Sequence, residues 1–425
     1  MTTRRDVLRT SLFGAGAVGL RALATGLPLH LLTRSPRAWS QVQAPKRLIL
    51  VSSSAGDPIN ANCPGAYIDG IAHPTGADFQ PAELRLGDRT FIGARAWSRI
   101  PQRFLDRTCF LHHGTYTNAH GNHEKVMALM GAVDRGEMMI SAFAKHLGPA
   151  LQTVQTEPVN VGAPLVSFQG RRLAELKPRS IKAALANDDS DLFQLRSLRD
   201  QELDRMYSML KAEGTPDQRR LLDRFAQTRN EARSISDALL TRLDAIGSGG
   251  DADQARAVAV LAAMNISPAL TLCIRFGSDN HSDVDLAREV RETQAGVDAL
   301  ALLFEELEAL GLQDDTVVAT LNVFGRTLAK KGTRGRDHNP HHHVMMLTGP
   351  GVRPGVVGGL APKGNDFGSL PIDPDTGEGA EGAAIPYEQS LESAAKTLGR
   401  LLGIDRATLD AEITGGRPIP AIVAG

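Results

Sequence analysis

The sequence predicts an α/β fold: a layered sandwich around a mostly parallel central sheet, carrying a helical insertion. Three observations lead there. Apolar runs that end in small, polar residues recur along the chain, stretches of helical period lie between them, and residues 190–246 are densely charged and helical in period without a strand. Strands that alternate with helices bury a parallel sheet between helical layers.

The elements follow in chain order. After Pro45 the run RLILVSSS is apolar for five residues and then turns small and polar, as a buried parallel strand does at a site-forming loop. The same profile recurs at residues 108–114, 270–280, 316–327 and 343–351. Helical spacing marks residues 122–130, then 286–310 with Gly311 as its cap, and finally 387–402, which stops at Gly403. The charged stretch ends in the flexible run of residues 247–250 and reads as a helical hairpin or cap inserted at about 190–250, its charges forming a solvated face. Residues 349–386 are rich in Gly and Pro and read as a long loop. Within it, Asp373 to Glu378 faintly resembles a calcium loop but lacks the rest of that pattern, so a turn is expected.

The first 40 residues stand apart. Residues 3–9, TRRDVLR, resemble the twin-arginine export consensus, with the Arg4-Arg5 pair, Val7 in the place of Phe and Arg9 in the place of Lys. A Gly/Ala/Leu-rich segment follows over residues 11–32, and Ala38-Trp39-Ser40 offers small residues at a cleavage site. Basic start, modest apolar core and small-residue exit are the parts of a secretory signal. Arg21 interrupts the segment, where a spanning helix needs about 20 predominantly apolar residues. The expectation is a signal peptide over residues 1–40 and a single domain over residues 41–425 that is periplasmic or extracellular and has no transmembrane helix. The twin-arginine translocase is then its partner during export.

Composition narrows the function classes. With 47 basic against 48 acidic residues, no electrostatic case exists for nucleic acid or an anionic membrane. Cys63, Cys109 and Cys273 lie far apart, without metal-type spacing; the odd count leaves at least one free, and buried unpaired thiols are expected.

Eight of the twelve histidines fall in two segments: His112, His113, His120 and His123, and His338, His341, His342 and His343. Such clusters at strand ends point to a site, because ligands gather at the carboxyl ends of strands in an open parallel sheet. Other strand ends bring Asp57, Asp279 with His281, the Asn322 region, and Asp337-His338. Oxygen and imidazole donors from several strand ends suit one divalent metal: zinc, manganese or iron. Alternation along a strand lets at most two of His341, His342 and His343 face that site.

The ordered motifs resemble those of an uncharacterised family of twin-arginine-exported bacterial proteins within the alkaline phosphatase and sulfatase superfamily. Residues 54–60 are similar to the family's G-G-x-D-G-x-N segment, Ala119-His120-Gly121 to its S-H-F, and residues 278–281 to its W-D-T-H. Residues 322–327 are similar to S-E-F-G-R-T, residues 335–338 to G-x-D-H, and residues 402–405 repeat L-G-I-D. The resemblance implies an alkaline-phosphatase-like three-layer sandwich. It implies Asp279, His281 and His338 as one metal's ligands, with Asp337 beside them, and Asp57 as a first-strand ligand of a second metal. The later ligand pair of that second metal falls on Val323 and Phe324, which coordinate nothing, and Ala119 occupies the place of the nucleophile. Thr117 and Thr115 are nearby substitutes, His120 and His123 are candidates for a metal site or acid/base chemistry, and Arg326 and Arg336 for holding an anionic substrate. Two functions follow. One is a metal-dependent hydrolase of a phosphate- or sulfate-type ester, acting on a small anionic ester. The other is a catalytically silent relative that binds an unknown protein partner.

Overall fold

The computed structural model describes residues 44–185, 249–329 and 334–424, with scattered positions from 205 to 247. The signal-peptide segment and most of the expected insertion at 190–250 lie outside the described residues. The described part of 178–248 forms a compact unit of its own, which includes the helix Pro178–Leu185. Inside that unit, Lys182 Nζ donates to the carbonyls of Asp244 and Ile246 at 2.8 and 3.2 Å. The second unit, residues 39–177 and 249–425, holds the sheet.

Its central sheet has seven strands: β1 (Arg47–Val51), β2 (Thr108–His113), β3 (Val159–Val161), β4 (Ala269–Leu272), β5 (Thr316–Thr320), β6 (His343–Thr348) and β7 (Gly355–Val357). Their order is β7-β2-β6-β5-β1-β4-β3. β1 pairs in parallel with β4 and β5, β4 with β3, and β2 with β7. Only β6 is reversed, antiparallel to both β2 and β5. The sheet is therefore mostly parallel, as expected, with one correction. The run at 343–351 does not end at the site; its start does, because reversal sets His343 opposite His113 at the end of β2.

Alternation divides the buried strands between two helical layers. The long helices are α1 (Met139–Leu151), α2 (Asp251–Ala263), α3 (Ala287–Ala309) and α4 (Ser390–Leu401). Leu48, Leu50, Leu111, Val317, Ala319, Met345 and Leu347 share one core with Phe143 and Leu147 of α1 and Leu391 and Leu398 of α4. Burying each of these side chains larger than alanine contributes about 1.5–3 kcal/mol. On the opposite face Trp97 meets Phe110 edge-on at 5.1 Å, and Phe104 stacks on Phe304 of α3 at 5.1 Å. α3 ends where the sequence places it: Gly311 takes φ +69° and Leu312 N–H returns to the Leu307 carbonyl at 2.8 Å.

Among the elements that go beyond the sequence reading are β3, α1 and α2. Residues 349–386 are not one long loop, since they contain β7 and the hairpin Leu360–Lys363 with Asp366–Ser369. Asp373 does form a turn, its Oδ1 accepting from the Asp375 and Thr376 N–H groups at 2.9 Å each. Cys63, Cys109 and Cys273 are all free; the first two are buried and Cys273 is half-buried. Among the described residues, no helix is long and apolar enough to cross a membrane.

Candidate metal centre

Four side chains from three loops converge at the carboxyl edge of the sheet: His120, Asp279, His281 and His338, each offering one atom within 4.8 Å of the others. The loop after β2 supplies His120, the loop after β4 supplies Asp279 and His281, and the approach to β6 supplies His338. His281 Nε2 lies 2.8 Å from His338 Nε2 and 3.3 Å from Asp279 Oδ1, while His120 Nε2 lies 3.9 Å from Asp279 Oδ2.

The far side of each ring decides what the near side can do. His120 Nδ1 donates to the Ser54 carbonyl at 2.7 Å, His338 Nδ1 donates to the Asn118 carbonyl, and His281 Nδ1 donates to Asp337 Oδ1 at 3.1 Å. With those nitrogens facing acceptors, the three Nε2 atoms turn inward. Histidines that ligate metals are held in this way, by a carbonyl or carboxylate on the other nitrogen. Two Nε2 atoms 2.8 Å apart are held together by a shared proton or by a cation between them. A tetrahedral site with bonds near 2.0–2.1 Å has ligand–ligand edges of about 3.3 Å, and the observed separations bracket that value. The residues fit one divalent transition metal held by three imidazoles and a carboxylate.

Arg326 borders this group. Its side chain is fully buried, and its Nε and Nη2 donate to the Gly56 and Ala55 carbonyls at 3.2 and 2.5 Å. Nη2 also reaches Asp279 Oδ1 at 3.2 Å, and Nη1 reaches His281 Nε2 at 3.4 Å. Phe324 forms a wall. Its ring stacks on His338 at 4.1 Å and meets His120 edge-on at 4.9 Å. It fits only because residue 56 is glycine: a Cβ there would come within 2.2 Å of the ring, and the backbone holds φ +67°.

The structure thus joins His120 to the expected set of Asp279, His281 and His338. Five expected residues stand elsewhere. Asp337 sits behind the His281 ring as its acceptor, not among the converging atoms. Asp57 is fully buried and bonded to Asn322 Nδ2, and burial raises its carboxyl to about 7 against the pull of Arg326. An amide donor faces one of its carboxylate oxygens. Arg336 cannot hold substrate, because it is wholly buried and all five N–H donors are taken: two by Glu289, the others by the carbonyls of Thr327, Leu328 and Ala72. Thr117 is buried, its Oγ1 accepting from Asn122 Nδ2 at 2.7 Å and Ala119 N–H at 3.3 Å, so it braces the turn into His120. His123 is buried, with its pKa pushed down to about 4 by burial, and lies outside the convergent group.

Four of the remaining clustered histidines form two chains across β2 and β6, while His341 packs beside Tyr387. Asn60 Nδ2 donates to His342 Nδ1 at 3.2 Å, His342 Nε2 to His112 Nδ1 at 2.9 Å, and His112 Nε2 to the Pro64 carbonyl at 3.0 Å. Likewise Asn322 N–H donates to His343 Nε2 at 3.2 Å, His343 Nδ1 to His113 Nε2 at 3.1 Å, and His113 Nδ1 to the Gly114 carbonyl at 2.8 Å. One tautomer per ring satisfies each chain, and every ring is neutral. Burial holds His112 and His113 at about 4, and His342 and His343 also well below the ordinary value. Sequence clustering therefore mixed two roles, ligand and buried core.

The sequence pattern of a family described as a protein of unknown function, DUF1501, matches residues 147–367. No curated protein matches the chain. Among solved structures it is similar to the lipoteichoic acid synthase LtaP from Listeria monocytogenes, with 10% identity over 95% of this chain and 81% of that one and a TM-score of 0.34.

Proposed function

The chain belongs to the protein family of unknown function DUF1501, and from its metal centre we propose that it is an exported, metal-dependent hydrolase of a phosphate- or sulfate-type ester, related to the alkaline phosphatases and sulfatases. The observation that carries this reading is the inward turn of three Nε2 atoms beside Asp279, each ring locked from behind. A zinc, manganese or iron ion held there supplies a Lewis acid and a means of activating water. Side chains that are 39–54% exposed at His120, His281 and Asp279 leave an approach from solvent, and chemistry at the ion would need a fifth coordination position or the displacement of one of the four donors. Arg326 borders the ligands from the buried side, with Nη2 on Asp279 Oδ1 and Nη1 beside His281 Nε2, and its positive charge favours an anionic ester at the centre. Phe324 covers the flank of His338 and His120 and keeps water from solvating the rings there.

Purified protein loaded with zinc, manganese or iron turns over a generic aryl phosphate or aryl sulfate, and His338→Ala abolishes turnover without unfolding the chain. Loaded protein that is inert across an ester panel overturns the hydrolase reading. It leaves the second one, a catalytically silent exported protein that binds a partner. That reading draws support from Ala119 at the nucleophile's place and from Thr117, which is bonded into its turn.

Export rests on Arg4-Arg5 and the segment behind them. The twin-arginine route carries folded proteins, which suits a site metallated before export to the periplasm or beyond. Replacing both arginines with lysine retains the precursor in the cytoplasm; unchanged export contradicts the signal.

A further inference from the structure

The two loops that carry Asp279, His281 and His338 are pinned together by a buried ion pair behind the centre. Glu289, on the first turn of α3, is fully buried and uses both carboxylate oxygens twice. Oε1 accepts from Asn62 Nδ2 at 2.7 Å and from Arg336 Nη2 at 3.0 Å; Oε2 accepts from Arg336 Nε at 2.7 Å and Asn280 Nδ2 at 2.9 Å. Asn280 lies between the ligands Asp279 and His281, and Arg336 lies two residues before the ligand His338. The backbones close the same seam: Gly335 N–H donates to the His281 carbonyl at 2.9 Å and Arg336 N–H to the Asn280 carbonyl at 3.3 Å. A Cβ on residue 335 would fall 1.9 Å from the Asn280 carbonyl oxygen, so only glycine lets the strands of this seam approach. Asp283 fixes the other end, its carboxylate accepting the N–H groups of Arg288 and Glu289 at 2.9 Å each.

We propose that Glu289 is a positioning residue of the metal centre: through Arg336 and Asn280 it sets the distance between the loop of Asp279 and His281 and the loop of His338. The proposal rests on the reading of those residues as ligands. Burying an ion pair is no gain in stability by itself, since desolvation offsets the attraction and well-packed apolar replacements are often neutral. What the pair supplies is geometry. Each guanidinium donor and each carboxylate lone pair has one partner, so neither loop can shift without breaking a charged hydrogen bond in a dry interior.

The test compares zinc affinity, by competition with a chromophoric chelator, in the full chain and in the paired variant Glu289→Leu/Arg336→Met, which leaves no unpaired charge. The expected result is a folded protein with zinc bound ~10–100-fold more weakly, the range seen when groups behind metal ligands are removed. Affinity unchanged in the paired variant, whether or not its melting temperature moves, overturns the proposal. If the paired variant does not fold, Asn280→Ala breaks the link from Oε2 to the Asp279–His281 loop without stranding a charge; it weakens zinc several-fold, and unchanged binding again overturns the proposal. A wild-type chain that binds no zinc, manganese or iron is a different failure, because it removes the metal centre itself.

Discussion

Acidification tests the two imidazole chains across β2 and β6. His112 and His113 are neutral in the fold, with pKa values near 4 because burial disfavours the charged ring, against about 6.5 when unfolded. A depressed histidine pKa means that the unfolded chain binds the extra proton first. The stability tied to the neutral ring is fully present above pH 6.5 and is lost as the pH falls from there toward 4. Each such ring costs ~1.4 kcal/mol at pH 5.5 relative to pH 8, and ~3 kcal/mol once the pH reaches the folded value. His112 and His113 together therefore remove ~3 kcal/mol by pH 5.5 from a total that is typically 5–15 kcal/mol. His342 and His343, shifted the same way, add to the loss. Asp57 opposes it: its carboxyl is raised to about 7, so its contribution grows as the pH falls. Comparing variants cancels that opposition. The assay is urea unfolding from pH 8 to 5.5 for the wild type and for His113→Leu/His343→Leu. The double variant is less stable at pH 8, because Asn322 N–H and the Gly114 carbonyl lose their partners, yet its stability falls less steeply with acid. Equal slopes in the two proteins would refute the assignment of neutral, buried rings.

Two further outcomes follow from the centre's surroundings. Gly56→Ala pushes a methyl group into the Phe324 ring at a left-handed backbone position and costs ~1–3 kcal/mol on thermal or chemical unfolding; a loss below ~0.5 kcal/mol means that the ring is not held there. Thr117→Val leaves ester turnover within about twofold of wild type per folded molecule, because its hydroxyl serves the Asn122 turn; a loss of several orders of magnitude would make Thr117 the nucleophile.

Much of the sheet was legible because its strands obey local rules. RLILV and TCFLHH are apolar runs of strand length, and the change to small or polar residues marks their ends. The reversal of β6 was not legible, since apolar runs carry no direction. β3 was too short to stand out at three residues, and it gains its place by pairing with β4. In α2, apolar and charged residues do not sort into a clear stripe, because eight of its residues are buried, Asp253 included. At the centre, Asp279, His281 and His338 were readable from short motifs, whereas His120 needed the fold to carry its loop across Ser54. Arg336 and Asp337 were misassigned for one physical reason. A charged residue in a motif next to a ligand reads the same whether it faces the substrate or supports the ligand from behind, and only burial and partners separate the two. Glu289 gave no signal, being one of several acidic residues on a helix whose buried face the sequence leaves open.

The central claim is that His120, Asp279, His281 and His338 hold one divalent transition metal. Metal content by mass spectrometry, on protein equilibrated with zinc, manganese or iron and then desalted, tests it most directly. The account predicts about one equivalent per chain in the wild type, retained in His123→Ala and lost in folded His281→Ala and His338→Ala. Wild-type protein that retains no metal, or folded His281→Ala and His338→Ala proteins that retain all of it, would contradict the account.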